Sequence, residues 1–539
     1  MSKLNENQAA DSFIKGAFIL GISGVFVKII GAFFRIPLAN LLGPEGISYY
    51  SSAYPIYNFF IVLATAGLPT ALAKIISEQR AMGDYRNLDR TFKSGLLLMT
   101  AVGLFGTLVM FFGADLIVRG IKNENAALAF KALAPAIVIV SVMAVFRGFF
   151  QGFQHMKPFA SSQIYEQFAR VIVGYGLAVF FLTSGTDIAA AGATFGATTG
   201  AIAGLAVIFL MYRRFRKANR DMFLSNMSGE LIPKRTLIKR IVQIAIPITL
   251  GAAVMPLMNT IDVMLVMNRL TDIGMGEEAN DLYGMLSGYA ATLVNLPQVI
   301  TSAIQISIVP AVAALFVRSQ VNDLSRTIQN GIRMTLIISL PATAGLVLLA
   351  QPIMELLYPS QIEFAQTTGN ILSILGFGVI FLGMFQVTTG ILQGLSLQNR
   401  PAINLMIGAV IKIILTYVLV GIPSINIYGA AYSTLAAYGI ATLLNLVTMS
   451  KRANIRFEAK KVLVKPLIAV LVMSVVVMMG YHGSKLILPS KLATVTAIGV
   501  GIIAYFYMLF KTQTLTEEDY AMMPGGRKLK KINDRFFRK

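Results

Sequence analysis

FIKGAFILGISGVFVKIIGAFFRIPLANLL, residues Phe13 to Leu42, is apolar over a length set by a bilayer. A hydrocarbon core about 30 Å thick needs ~20 helical residues at ~1.5 Å each, and this run supplies them. Beyond Lys15 at its start, two strong cations, Lys28 and Arg35, interrupt it. Counted from Phe13, Lys28 stands ~22 Å along the helix, past the middle of the core and too deep to snorkel out easily. An ammonium at that depth costs at least a few kcal/mol, so the position reads as facing a water-filled cavity, a buried partner or an anionic substrate.

The remainder of the chain repeats the pattern. Apolar segments long enough to span recur at 13–36, 52–76, 92–114, 128–153, 163–183, 188–212, 241–267, 283–311, 327–350, 366–393, 403–421, 427–449, 464–482 and 492–510. Of the 539 residues, 56% are hydrophobic and 13% charged, against about 25% charged in soluble domains. The expected fold class is therefore an all-α polytopic membrane protein with 14 transmembrane helices. The absence of cysteine excludes disulfides, thiolate chemistry and cysteine-ligated metals. Met1–Asp11 is polar with mixed charge, and no small-residue cleavage pattern follows the first apolar stretch, so no removable signal peptide is expected.

A net charge of +21 would suggest nucleic acid in a soluble protein, but here the cations sit mostly in short loops, so no nucleic-acid partner is expected. The connections after even-numbered segments are basic, as at Arg213, Arg214, Arg216, Lys217 and Arg220, or at Lys451, Arg452, Lys460, Lys461 and Lys465. Odd-numbered connections are poor in Lys and Arg, and Thr271–Asp281 carries Asp272, Glu277, Glu278 and Asp281. The positive-inside rule then places both termini in the cytoplasm, with the chain multi-pass in the membrane and its basic loops against anionic membrane lipids. A monomer is expected.

The second half echoes the first at an offset near 242 residues: Pro55 and Pro297, Gly148-Phe-Phe-Gln151-Gly152 and Gly390-Ile-Leu-Gln393-Gly394, Arg170 and Lys412. A repeat of six helices, an even number, gives two lobes with the same orientation, related by an axis along the membrane normal. The expected division is an N-lobe over 1–220 with helices 1–6, a C-lobe over 221–450 with helices 7–12, and 451–539 for helices 13–14 and a basic cytoplasmic tail. Helix-perturbing residues recur in both copies, at Pro37, Pro55, Gly67 and Pro69 and at Pro247, Pro256, Pro297 and Pro310. Such breaks suit helices that move and line a cavity.

The ionisable residues read within spans are Lys28, Arg35, Arg147, Glu166, Arg170, Asp262 and Lys412. Glu166 and Arg170, four apart, form an expected internal ion pair, and Arg147, near a helix end, is expected to snorkel. Lys28 and Lys412 lack a local partner in sequence. A shift of 234 superposes Lys28 on Asp262 and Arg35 on Arg269, so Lys28 and Asp262 could face each other across the lobe interface. The two histidines, His155 and His482, have no metal-ligand neighbour at i+3 or i+4, and no phosphate-binding glycine loop or nucleophile elbow is present. The chain does not read as an enzyme and no metal is assigned.

In the order Lys28-Ile-Ile-Gly31, Arg35, Leu42-Gly-Pro-Glu-Gly46, Ala66-Gly-Leu-Pro69 with Ala73-Lys74, and Gln151-Gly-Phe, the chain resembles the multidrug/oligosaccharidyl-lipid/polysaccharide flippase superfamily. The resemblance covers the whole chain and is to the polysaccharide-transporter branch that holds stage V sporulation protein B and the lipid II flippases of Gram-positive bacteria. It implies two six-helix lobes around a cationic cavity, alternating access, an undecaprenyl-pyrophosphate-linked glycan as cargo, and a groove for the lipid tail formed by helices 13 and 14. Lys28 and Arg35 match its motifs as substrate-binding cations, and Lys412 joins them by its depth. The resemblance also suggests a cation site in the second lobe, for which Asp262 is the candidate. No cofactor is expected beyond coupling to the membrane potential or a monovalent cation. Gram-negative lipid II flippases carry further arginines in helices two and eight, where this chain has Leu63–Ala66 and Thr292. The expected function is translocation of a peptidoglycan precursor, lipid II, from the inner to the outer leaflet. The alternatives are another polysaccharide-lipid precursor, a multidrug antiporter of the same superfamily, and a non-transport membrane assembly scaffold.

Overall fold

The computed structural model describes residues 2–224, 231–453, 458 and 460–515, with side chains described from Ser23 onward and not at Leu224. The basic tail expected beyond Leu515 and the loop residue Arg456 lie outside the described residues. Thirteen helical stretches among the described residues are long and apolar enough to cross a membrane: α1 Ser23–Ala81, α2 Tyr85–Phe112, α3 Glu124–Gly152, α4 Lys157–Ser184, α5 Thr186–Ala218, α6 Lys234–Asp272, α7 Ala279–Val317, α8 Val321–Leu348, α9 Pro359–Gly394, α10 Asn399–Val420, α11 Tyr428–Ala453, α12 Lys460–Lys485 and α13 Ser490–Lys511. This is a polytopic all-α membrane protein.

The stretch α1 takes up the first two apolar segments of the sequence. Its 59 residues would run ~88 Å as one rod, about three times the hydrocarbon thickness. The rod is broken at Gly43 (φ 69°, ψ 176°), a left-handed conformation that glycine adopts without a Cβ penalty, and again at Gly67, just before Pro69. The motif residues Gly43-Pro44 and Gly67-Leu-Pro69 therefore act as the punctuation of the first two spans.

The contacts divide the chain into two compact units, Met1–Gly284 and Met285–Lys539. In the first, α4 and α5 pack along a seam of Gly192, Gly196, Gly200 and Gly204. A methyl on Gly196 would stand 2.6 Å from the Gly174 Cα and the Arg170 carbonyl oxygen, and one on Gly200 2.5 Å from the Glu166 carbonyl oxygen. Glycine every fourth residue is the small-residue stripe that lets membrane helices touch backbone to backbone, and here it fixes the height of Glu166 and Arg170. An aromatic cluster joins α2, α3 and α5, with Phe92 stacked on Tyr212 at 5.0 Å and edge-on to Phe146 at 5.4 Å.

Although the sequence duplication assigns α6 to the second copy, α6 packs in the first unit. The Gly67 N–H donates to Thr249 Oγ1 (3.2 Å) and Arg240 pairs with Glu78 (2.7 Å). Toward the other end of α6, the Asn268 amide donates to the Gly120 carbonyl (2.8 Å) and Asp272 pairs with Lys122 (3.1 Å).

In the second unit, α10 and α11 repeat the close approach, Gly408 lying against the Ala437 backbone and Gly429 against that of Leu419. Polar clasps hold them: Asn404 donates to Asn445 (2.8 Å), Asn445 to Thr388 on α9 (3.1 Å), and the Thr416 and Ser433 hydroxyls bond at 2.6 Å. The unduplicated pair α12 and α13 packs on α8. The Tyr505 hydroxyl donates to the Ile337 carbonyl (2.8 Å), and the Ser490 hydroxyl donates to Glu355 (2.9 Å).

Candidate functional site

Lys28 and Arg35 stand seven residues apart, two helical turns, and so share one face of α1. Lys28 is exposed and Arg35 half-buried. The helix docks on α4: the Ser23 hydroxyl donates to Gln163 (3.4 Å), a Cβ on Gly31 would meet the Gln167 amide at 3.1 Å, and Phe34 lies against Gly174. Gly31 of the Lys28-Ile-Ile-Gly31 motif thus lets the helix settle closely on α4. Neither Lys28 nor Arg35 forms an ion pair with another described side chain.

Sequence reasoning also found Glu166 with Arg170, and the structure closes that pair at 3.0 Å. It corrects Arg147, which does not simply snorkel: its Nη2 donates to the other Glu166 oxygen at 2.9 Å and its Nε to the Ser162 hydroxyl at 3.0 Å. One carboxylate serves two guanidiniums. On α1, the Tyr50 and Tyr54 rings stand 4.6 Å apart. The two guanidiniums share Glu166 as a counter-ion, whereas Lys28 and Arg35 have no such carboxylate among the described side chains.

Asp262 is half-buried on α6, in the same compact unit as Lys28. Two turns along α6, Arg269 pairs with Asp272 at 3.2 Å, and Asp272 also takes Lys122. The residue that superposes on Arg35 in the repeat is therefore engaged in a loop-end ion-pair network. Lys412 is half-buried on α10 in the second unit. At the repeat offset, Glu166 corresponds to Gly408 and Arg147 to Thr389, so the carboxylate that serves Arg170 has no copy beside Lys412. No group of three or more His, Asp or Glu that could hold a metal ion occurs among the described residues.

Two cavities lie within the second unit. An apolar one of about 510 Å³ is lined by Pro297 of α7, Ile337 and Pro341 of α8, Met473 of α12 and Tyr505 and Phe506 of α13, among others. A polar one of about 480 Å³ is lined by Arg326, Arg333, Lys461 and Lys465. Sequence reasoning missed Arg333, which is only 5% exposed. Its signal is a polar stripe at helical spacing, Asn322, Arg326, Gln329 and Arg333, on a helix otherwise apolar toward its other end.

This fold and these residues place the chain in a known class. The polysaccharide biosynthesis protein family matches residues 13–316, and the MatE family matches 247–418; the chain belongs to the former, within the multidrug/oligosaccharidyl-lipid/polysaccharide flippase superfamily. It is 25% identical over 543 residues to the lipid II flippase MurJ of Bacillus subtilis (strain 168), covering 96% of this chain and 98% of that one. It is 28% identical to stage V sporulation protein B of the same organism, over 84% of this chain and 86% of that one. Among solved structures, a lipid II flippase MurJ in its inward closed conformation superposes with a TM-score of 0.67 at 15% identity, covering 90% of this chain and 97% of that chain. The first and last of these are named as lipid II flippases.

Proposed function

We propose that the protein is a flippase for an undecaprenyl-pyrophosphate-linked peptidoglycan precursor, lipid II, carrying it from the cytoplasmic to the outer leaflet of the bacterial plasma membrane by alternating access. The observation that carries the reading is the pair Lys28 and Arg35, two cations on one face of a spanning helix with no ion-pair partner among the described side chains. A diphosphate supplies the matching charge: the Arg35 guanidinium offers forked donors and the Lys28 ammonium a mobile point charge. Lys412 is the third cation of this reading, half-buried on α10. The name of the Bacillus subtilis relative, a lipid II flippase, supports this cargo. Asp262 is the proposed site for a coupling cation or proton, since a carboxylate is what binds either. Both termini lie in the cytoplasm in this reading, and the protein acts as a monomer.

The test is rescue of cells depleted of their essential lipid II flippase. The wild-type chain restores growth, and Lys28→Ala does not while still folding and inserting, because removing an uncompensated cation does not weaken the fold. Failure of the wild-type chain to rescue refutes lipid II as cargo. Normal rescue by Lys28→Ala refutes the role of Lys28. The MatE match over 247–418 favours one second reading, a multidrug antiporter. That activity needs cavity acids for cationic drugs, and extrusion of cationic dyes by the purified protein in vesicles distinguishes it.

A further inference from the structure

The polar cavity of the second unit is a built site. Arg326, Gln329, Asn330 and Arg333 line it from α8, and Lys461 and Lys465 from α12. Arg333 is 5% exposed and Asn330 8%, so the inner wall of the cavity is held in place, while Arg326 and Lys461 stand at its exposed rim. The wall is pinned by hydrogen bonds: the Glu458 N–H donates to Gln329 Oε1 (2.9 Å), and the Lys465 ammonium donates to the Gln513 carbonyl (3.1 Å). Lys461 pairs with Glu458 at 2.6 Å. That hydrogen bond, then the fields of Lys461, Arg326 and Arg333, hold the Glu458 carboxyl below its usual range. At neutral pH the lining therefore carries four cations against one carboxylate.

The helices that bear these groups carry the apolar cavity further along. On α8, Ile337 of the apolar cavity follows Arg333 of the polar one by four residues, ~6 Å of helix; on α12, Met473 follows Lys465 by eight, ~12 Å. A ligand reaching from one cavity to the other needs an anionic head and an apolar chain.

We propose that this pair of cavities binds an anionic membrane phospholipid, its phosphodiester headgroup held by Arg326, Arg333, Lys461 and Lys465 and an acyl chain lying along α8, α12 and α13. Charge complementarity selects the class: guanidinium forks match tetrahedral phosphate oxygens, and basic clusters at membrane surfaces collect acidic lipids. The site is separate from Lys28 and Arg35 and does not depend on the cargo. A lipid bound there ties the unduplicated pair α12 and α13 to α8.

The experiment uses the full chain in nanodiscs of phosphatidylcholine alone or with phosphatidylglycerol, read by thermal unfolding and by lipid retention in native mass spectrometry. Phosphatidylglycerol is expected to be retained and to raise the melting temperature. The double variant Arg326→Gln/Lys461→Gln, at two exposed positions where folding is not at risk, is expected to lower retention about tenfold or more, the scale of losing charge-assisted hydrogen bonds. Equal retention by the variant overturns the site. Inorganic phosphate giving the same stabilisation in phosphatidylcholine discs overturns the lipid as occupant and leaves a free-anion site. Displacement of phosphatidylglycerol by undecaprenyl diphosphate at equal concentration overturns it in favour of a cargo site.

Discussion

Replacing Glu166 by Gln removes the carboxylate that faces both Arg147 and Arg170, at 2.9 and 3.0 Å. The three side chains are 12%, 21% and 15% exposed for Arg147, Arg170 and Glu166, so two guanidiniums are left largely buried with their counter-charge gone. Breaking a buried pair from one side costs about 3–5 kcal/mol. The residual exposure of Arg170, and the one hydrogen bond that the Gln carbonyl oxygen can still accept, put the expected loss near the lower end, about 3 kcal/mol or roughly a hundredfold in the folded-to-unfolded ratio. The assay is thermal unfolding of matched nanodisc samples, followed by loss of the monodisperse species. Adding Arg147→Met to Glu166→Gln removes one of the two stranded cations and is expected to recover about half of the loss, because residues in one network do not behave additively. A loss below about 1 kcal/mol for Glu166→Gln, or a double variant worse than either single change, refutes the reasoning. In that case Arg147 and Arg170 are held by something other than Glu166.

Gly67→Ala drives a methyl into the Ala245 backbone carbonyl and to 2.5 Å from Thr249 Oγ1; a destabilisation of about 1–3 kcal/mol is expected in the same unfolding assay, with slower flipping per folded molecule. Asp262→Asn is expected to keep the fold and to make flipping in proteoliposomes insensitive to an imposed ion or voltage gradient; unchanged gradient dependence removes Asp262 from coupling. Single cysteines at Gly276 and Gln361 are expected to react with an impermeant thiol reagent on intact cells, and those at Met82 and Gln320 are not; the opposite pattern inverts the topology.

By itself the sequence determined the all-helical membrane class and made the two unusual cations of the first span visible. These are legible because a bilayer acts locally: its thickness sets a run of ~20 residues, and its low polarity makes a single lysine at position 28 conspicuous without any knowledge of neighbours. The ion pair of Glu166 with Arg170 was legible for the same reason, since four residues on one helix meet whatever surrounds them. Only the tertiary structure decided that Arg147 shares that carboxylate, because the contact crosses from α3 to α4 and depends on how far the glycines of α5 let α4 approach. It also decided that α6, which the sequence offset assigns to a second copy, packs with the first unit, through contacts such as Gly67 with Thr249. The basic cavity needed it most. Arg333 and Lys461 come from helices far apart in the chain, and the polar stripe on α8 shows which face is wet but not which lysines meet it; that depends on the docking of α12 and α13, a matter of side-chain shape summed over many contacts rather than of any local pattern.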